Sequence, residues 1–202
     1  MKIAVIQASS QKQKNELLCA CVKKAVKGQG HEIINFGVFP EEKAEYSYIQ
    51  TSLLVGLLLA GGAVDFVVTG CSSGQGMMLA CNSMPGVLCG YVQNPADAYL
   101  FGRINDGNAV SLPLGLQFGW AGEINLQSTL DSLFGEPFGI GYPPEDAERK
   151  IRDTGQLKAM RAASQKSFAE FWKSLDEELV KSVMQRECVW EYVRKYGNDF
   201  FL

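Results

Sequence analysis

The chain has 202 residues, of which 47% are hydrophobic and 20% charged, with a formal net charge of −3. These are the proportions of an ordinary globular protein of one domain with a helical appendage. With no basic surface evident, nucleic acid and acidic membranes are excluded as partners. The most apolar segment, LLVGLLLAGGAV, is roughly half the ~20 residues that a membrane span needs, and reads as a core helix running up to a strand. The opening MKIAVIQA lacks the separate basic, apolar and cleavage regions of a signal peptide, so a cytoplasmic location is expected.

Taken in chain order, strand-like runs and helical spacing alternate. Strands are expected at residues 2 to 6 (KIAVI), 32 to 36 (EIINF), 64 to 69 (VDFVVT), 87 to 92 (VLCGYV) and 108 to 112 (NAVSL). Between the first two, Leu17, Leu18, Cys21, Val22, Ala25 and Val26 form one apolar helix face, stopped by Gly28 and Gly30. Asn94 and Pro95 read as N-cap and first helical residue of a later helix, and EINLQSTLDSLFG supplies another. Strict alternation implies parallel strands joined by right-handed crossovers, with helices on both faces. The expected fold is therefore an α/β, three-layer, doubly wound (Rossmann-like) parallel five-stranded sheet, and ligands should bind beyond the carboxyl ends of its strands. From about residue 143 the pattern changes to PPEDAERKIRD and then to one long helical stretch over residues 156 to 196. This divides the chain into an α/β domain, 1–142, and a C-terminal helical extension, 143–202. Phe168, Phe171, Trp172, Leu175 and Leu179 form a stripe in that extension that reads as packing, against the same domain or a second subunit.

The chemistry concentrates in VDFVVTGCSSGQGMMLACNSMPG, residues 64 to 86. Six cysteines occur without C-x-x-C spacing, so neither a zinc site nor a disulfide framework is implied. Five of them read as small core residues, whereas Cys71 stands in a turn. The one histidine, His31, precedes a strand and reads as structural, which leaves serine-histidine hydrolysis and histidine-ligated metals without material. A strand ending at Thr69 delivers Gly70 to Gly76 to the sheet's carboxyl edge, where glycines allow successive backbone N–H groups to face one concavity ahead of a helix N-terminus. Such an anion hole raises the thiolate fraction of a neighbouring cysteine. A thiolate there can attack a carbonyl or remove a proton beside one. Nucleophilic attack usually recruits a histidine, and none is near. A phosphatase cradle needs arginine six residues after the cysteine, where Met77 stands. Proton abstraction is the sharper reading, set against the plainer one of a buried cysteine in a tight turn.

These segments resemble the ribose 5-phosphate isomerase B and galactose 6-phosphate isomerase family through most of residues 1 to 135. MKIAV and GQGHEIINFG are similar to its first strands, CSSGQGMMLACNSMPGV to its C-G-T-G-x-G loop and following helix, and INDGNAVSL to its H-N-D-x-N segment. The resemblance implies an aldose-ketose isomerase that moves a proton between adjacent carbons through a cis-enediolate. It implies Cys71 as the base, Ser73 as the loop hydroxyl, the amides around Gly74 and Gly76 as the enediolate's anion hole, and Ser72 and Gln75 of the same loop as substrate-binding residues. Asn105 and Tyr48 match substrate-binding positions, and Ser9 stands where the family's Asp-His pair would follow the first strand. A sugar or sugar phosphate as partner, no cofactor or metal, and a homodimer or homotetramer with sites completed across subunits are implied as well.

The departures carry information too. The family's Asp-His pair is here Ala8 and Ser9, its ring-opening histidine is Ile104, and its phosphate-binding arginines fall at Pro143 and Ala147. A base without a ring opener favours a substrate already open at its carbonyl, and a lost phosphate clamp weighs against ribose 5-phosphate, since a bidentate arginine pair on a dianion is not readily replaced. Arg103, Arg149 and Arg152 are the cations that could form another clamp. The alternative is a non-catalytic sugar-phosphate-binding relative, or a subunit of a hetero-oligomeric isomerase. A flavin or nucleotide module using ASSQKQKN is weaker, because that loop has no glycine to bring the backbone near a phosphate.

Overall fold

The computed structural model describes residues 1–198. Five parallel strands, β1 (Lys2–Ile6), β2 (Glu32–Gly37), β3 (Phe66–Cys71), β4 (Cys89–Tyr91) and β5 (Ala109–Pro113), lie in the order β2-β1-β3-β5-β4. The helices between them are α1 (Asn15–Ala25), α2 (Tyr48–Ala60), α3 (Gln75–Asn82) and α4 (Pro95–Leu100), and α5 (Gly122–Phe134) follows β5. Asn94 caps α4, accepting the N–H of Asp97 at 3.0 Å. The expected doubly wound sheet is thus present.

Alternate residues of each strand feed two separate cores, as the pleat requires. Ile3, Val5, Phe66, Val68 and Val110 pack with α1, α4 and α5. Ala4, Ile6, Val67 and Ala109 pack on the opposite face with α2 and α3. Because β1 and β3 are covered on both faces, they read as unbroken apolar runs rather than alternating ones.

The strand predicted to end at Thr69 continues to Cys71, pairing Gly70 with Leu112 and Cys71 with Pro113. The reason is local: a Cβ on Gly70 would lie 2.5 Å from the Leu112 carbonyl oxygen, so glycine is what lets β5 run alongside for two further residues. At the other end the strand starts at Phe66 rather than Val64; Asp65 just before it meets Lys2 through both its carboxylate, which accepts the Lys2 N–H at 2.7 Å, and its backbone N–H, which donates to the Lys2 carbonyl at 2.9 Å.

The helical C-terminal region is present, but the single stretch expected over 156–196 is broken into pieces. These are α6 (Ala147–Ser164), α7 (Phe168–Lys173), α8 (Glu177–Met184) and α9 (Glu187–Tyr196). Ser167 and Glu170 form a capping box that starts α7, and the Asp176 side chain accepts the Leu179 N–H to start α8. Phe168, Val183, Val189 and Val193 join the core that contains α2, so the aromatic stripe wraps its own chain. Among the described residues no helix is long and apolar enough to cross a membrane.

Candidate active site

The connection from β1 passes to one side of the sheet and that from β3 to the other, so a crevice opens beyond their carboxyl ends. A cleft of about 420 Å³ occupies it, lined by Ala8, Ser9 and Ser10 after β1, Glu45 to Tyr48 and Gln50 at the start of α2, and Cys71. Cys71 is 8% exposed. Its Sγ accepts the backbone N–H of Gly74 at 3.2 Å.

The loop that makes this contact is built around Gly74, which has φ +76°. A Cβ there would be 2.7 Å from the Tyr91 ring and 2.9 Å from the Leu112–Pro113 backbone, so both the dihedral and the space call for glycine. The Gly74 carbonyl accepts the Ser111 hydroxyl at 2.6 Å, which fixes the peptide plane. As N-cap of α3, Gly74 brings no side chain to the first-turn amides of Gln75 and Gly76. The first amides of a helix have no carbonyl partner within the helix, which is what makes a helix start able to receive an anion.

The opposite wall comes from α2. Ser47 and Gln50 form a capping box, which fixes Tyr48 as the first helical residue, and its ring lies 3.5 Å from where a Gly76 Cβ would be. Ser9 exchanges bonds with Tyr46, its Oγ accepting the Tyr46 N–H at 2.6 Å and its own N–H reaching the Tyr46 carbonyl at 2.9 Å. Ser9 therefore ties the end of β1 to the tyrosine wall.

Cys71, Ser9 and Tyr48 share the cleft, and Gly74 and Gly76 border it through the contacts just given. Ser72 is exposed and turned toward the β5 side: its Oγ accepts the Gln11 side-chain amide at 3.0 Å and its carbonyl accepts the Gly115 and Leu116 N–H groups. Ser73 is half-buried and Gln75 exposed; neither they nor Ser72 are part of the lining. Asn105 is exposed at the end of a single π-helical turn, Phe101–Asn105, outside the cleft lining of its own protomer. Ile104 precedes it, its carbonyl accepting the Thr154 hydroxyl at 2.6 Å.

Sequence reasoning missed Glu42, Tyr46 and Gln50. The capping spacing Ser47-x-x-Gln50 was the one available signal, since it fixes which tyrosine begins α2. Of the three candidate arginines, Arg103 is fully buried with a guanidinium N–H on the Leu133 carbonyl, Arg149 is engaged by Asp146 and Asp153, and Arg152 is exposed. The cysteines also divide differently from expectation. Cys19, Cys21, Cys81 and Cys89 are buried as expected, but Cys188 is exposed. It falls on the outer side of α9, whose inner side is taken by Val189 and Val193. Burial pushes the Cys19 and Cys21 thiols up; the Cys188 thiol is raised by its packed surroundings too, and Cys89 is raised well up by its contact with Cys81 together with burial.

A doubly wound sheet with a cysteine–glycine loop at its switch point defines the class of protein to which this chain is similar. Residues 3–124 match the family described as Ribose/Galactose Isomerase, and the chain belongs to that family. Ribose-5-phosphate isomerase B of Escherichia coli is 29% identical over 98 residues, 48% of this chain and 61% of that protein, so the match spans less than two thirds of that relative. Two solved structures are each 38% identical and cover 98% of this chain. One is 4-deoxy-L-threo-5-hexosulose-uronate ketol-isomerase complexed with a tartrate, with 94% of its chain covered and a TM-score of 0.93. The other is a ribose-5-phosphate isomerase of Vibrio parahaemolyticus, with 93% covered and a TM-score of 0.91.

Proposed function

We propose that the protein is an aldose-ketose isomerase acting on an open-chain hydroxy-carbonyl acid, with Cys71 as the proton-transfer base. The observation that carries this is the Cys71 sulfur, open to the switch-point cleft and 3.2 Å from the Gly74 N–H. In the reaction the thiolate removes the proton from the carbon beside the carbonyl, and the electron pair left behind forms a cis-enediolate. The amides around Gly74 and Gly76 stabilise its oxyanion, the Ser73 hydroxyl, which must turn into the cleft from outside its lining, relays the substrate's hydroxyl proton to the former carbonyl oxygen, and the Cys71 thiol returns its proton to the neighbouring carbon. Tyr48, Ser9 and the loop position the substrate, and Asn105 reaches a site only in a second copy of the chain.

The substrate class follows from what is missing. The uronate named for one 38%-identical structure carries a single carboxylate, whereas ribose 5-phosphate carries a dianion. Pro143 and Ala147 replace the phosphate-binding arginines, Arg103 is fully buried, with one N–H on the Leu133 carbonyl and its other guanidinium nitrogens without a hydrogen-bond partner, and Arg149 pairs with Asp146 and Asp153. Ile104 offers no proton for ring opening, which an open-chain substrate does not need. The ribose 5-phosphate reading keeps support from the Vibrio structure at the same identity.

The test is deuterium uptake from heavy water into 4-deoxy-L-threo-5-hexosulose uronate and ribose 5-phosphate. Uptake into the uronate, lowered about 10²- to 10⁴-fold in Cys71→Ala, is the expected result. Uptake that survives Cys71→Ala sinks the cysteine mechanism, and faster uptake into ribose 5-phosphate sinks the substrate class.

A further inference from the structure

We propose that Arg186, at the junction of α8 and α9, is a positioning residue for the isomerase site, acting through Glu42 and Tyr46. This rests on the cleft at Cys71 being the active site. Arg186 is 6% exposed and 144 residues from its partner. Its guanidinium engages both carboxylate oxygens of Glu42, one of them at 2.9 Å, and donates to the Phe36 carbonyl at the end of β2. It also lies 5.0 Å from the centroid of the Tyr46 ring. Gly37 makes room for it: a Cβ there would be 2.6 Å from Nη2.

The contacts with Tyr46 and Glu42 lead into the cleft. Tyr46 exchanges two hydrogen bonds with Ser9 and precedes Ser47 and Tyr48 in the wall. The Glu42 carbonyl accepts Lys12 Nζ at 3.0 Å, and the same ammonium pairs with Glu45 on the rim. A second tie from α8 reaches the same wall, where Gln50 donates to the Ser182 hydroxyl at 3.0 Å. The segment from Glu42 to Tyr46, ahead of the Ser47 cap of α2, is neither strand nor helix, so little in its own backbone fixes it. The C-terminal helices supply what the segment lacks, and the bidentate fork of arginine, unlike a lysine, sets direction as well as distance.

The experiment compares the full-length protein with Arg186→Lys, Arg186→Met and the double variant Glu42→Leu/Arg186→Met. The double variant replaces the ion pair by apolar groups and guards against a fold lost to one unpaired buried charge. Two readouts are taken well below each unfolding midpoint. One is iodoacetamide labelling of Cys71 resolved by mass spectrometry, with Cys21 on the opposite face as control. The other is KM and kcat for 4-deoxy-L-threo-5-hexosulose uronate. Arg186→Met and the double variant are expected to fold, to label Cys71 faster, and to raise KM about ten- to hundredfold, as for a wall displaced by an ångström; Arg186→Lys should fall between. A purely stabilising role would lower the midpoint and leave both readouts unchanged, and that result overturns the proposal. Faster Cys71 labelling with unchanged KM supports the brace and removes the cleft from catalysis, so the two readings fail separately.

Discussion

At the scale of single residues, Cys71 is set apart from the other cysteines by its place in the cleft and by the Gly74 N–H on its sulfur. Cys19, Cys21 and Cys89 are buried and their thiols raised, and the Cys188 thiol is raised although the residue is exposed. Since the thiolate is the species that alkylates, Cys71, open to its cleft and bonded by an amide N–H, should label faster than Cys188 at neutral pH. Residue-resolved mass spectrometry of a timed alkylation checks this; equal rates would leave Cys71 an ordinary core thiol. Gly74 is the second residue with a sharp expectation. Alanine there adds a left-handed strain of about 1–3 kcal/mol and a clash with the Tyr91 ring and the Leu112–Pro113 backbone. A lower denaturant midpoint and altered Cys71 labelling should appear together, because the same peptide carries the N–H on the sulfur.

Legibility in the sequence also divides by residue. The cysteine loop was readable because glycines and a reactive side chain sit within six positions, whereas Tyr48 was reached only through the family resemblance, its capping motif going unread. Arg186 was not readable: its partner Glu42 is 144 positions away, and an arginine near a chain end reads as a solvated charge until the fold buries it. The end of β3 was misplaced for a related reason. Gly70 signals a turn in one dimension, yet here it serves a close approach of β5 that only the sheet order reveals.

At the scale of elements, α2 shows propensity and packing in opposition. Gly56 lies in mid-helix, where alanine is better by up to about 1 kcal/mol, yet a Cβ would stand 2.8 Å from the Phe168 ring and 3.1 Å from Met84. Overpacking of about 1–3 kcal/mol outweighs the propensity gain, so Gly56→Ala should lower the thermal midpoint; a rise would mean that α7 yields easily. The Glu42–Arg186 tie adds a pH term. Burial alone would raise the Glu42 carboxyl, but hydrogen bonds from Arg186 and the Phe39 N–H outweigh it and hold the group below its ordinary value. A carboxyl depressed on folding contributes stability that is full above the ordinary pKa of about 4.3 and lost as pH falls through the lowered one. The stability difference between the wild type and Glu42→Gln should therefore shrink as pH falls below about 4, followed by denaturant midpoints against pH. A difference independent of pH would show that the ion pair contributes little.

At the scale of the whole molecule, strand alternation made the sheet legible, because a five-stranded parallel arrangement needs only the order of apolar runs and crossovers. The breaks within the C-terminal helices were marked by the capping residues Ser167 and Asp176 and were overrun by the apolar stripe. Exposed apolar side chains gather on the loop and helix after β5, with Trp120 96% and Ile124 63% exposed. A patch of that kind, together with an Asn105 outside its own cleft, predicts a dimer or larger assembly at micromolar concentration. Light scattering decides it, and a monomer would contradict it.

Eight consecutive residues of α2, Thr51 to Leu58, are buried, one side against the sheet and the other beneath α7, α8 and α9. During synthesis this places a strict order on events. The sheet that α2 belongs to can be assembled once β5 ends at Pro113, but the far side of α2 stays bare until the helices from Phe168 to Tyr196 leave the ribosome. For that interval the nascent chain carries a nearly complete sheet with an uncovered leucine-rich helix, a surface that invites chaperones or aggregation. The final helices thus close the fold in time as well as in space, and a ribosome stalled late on this message would release a more hazardous product than one stalled early.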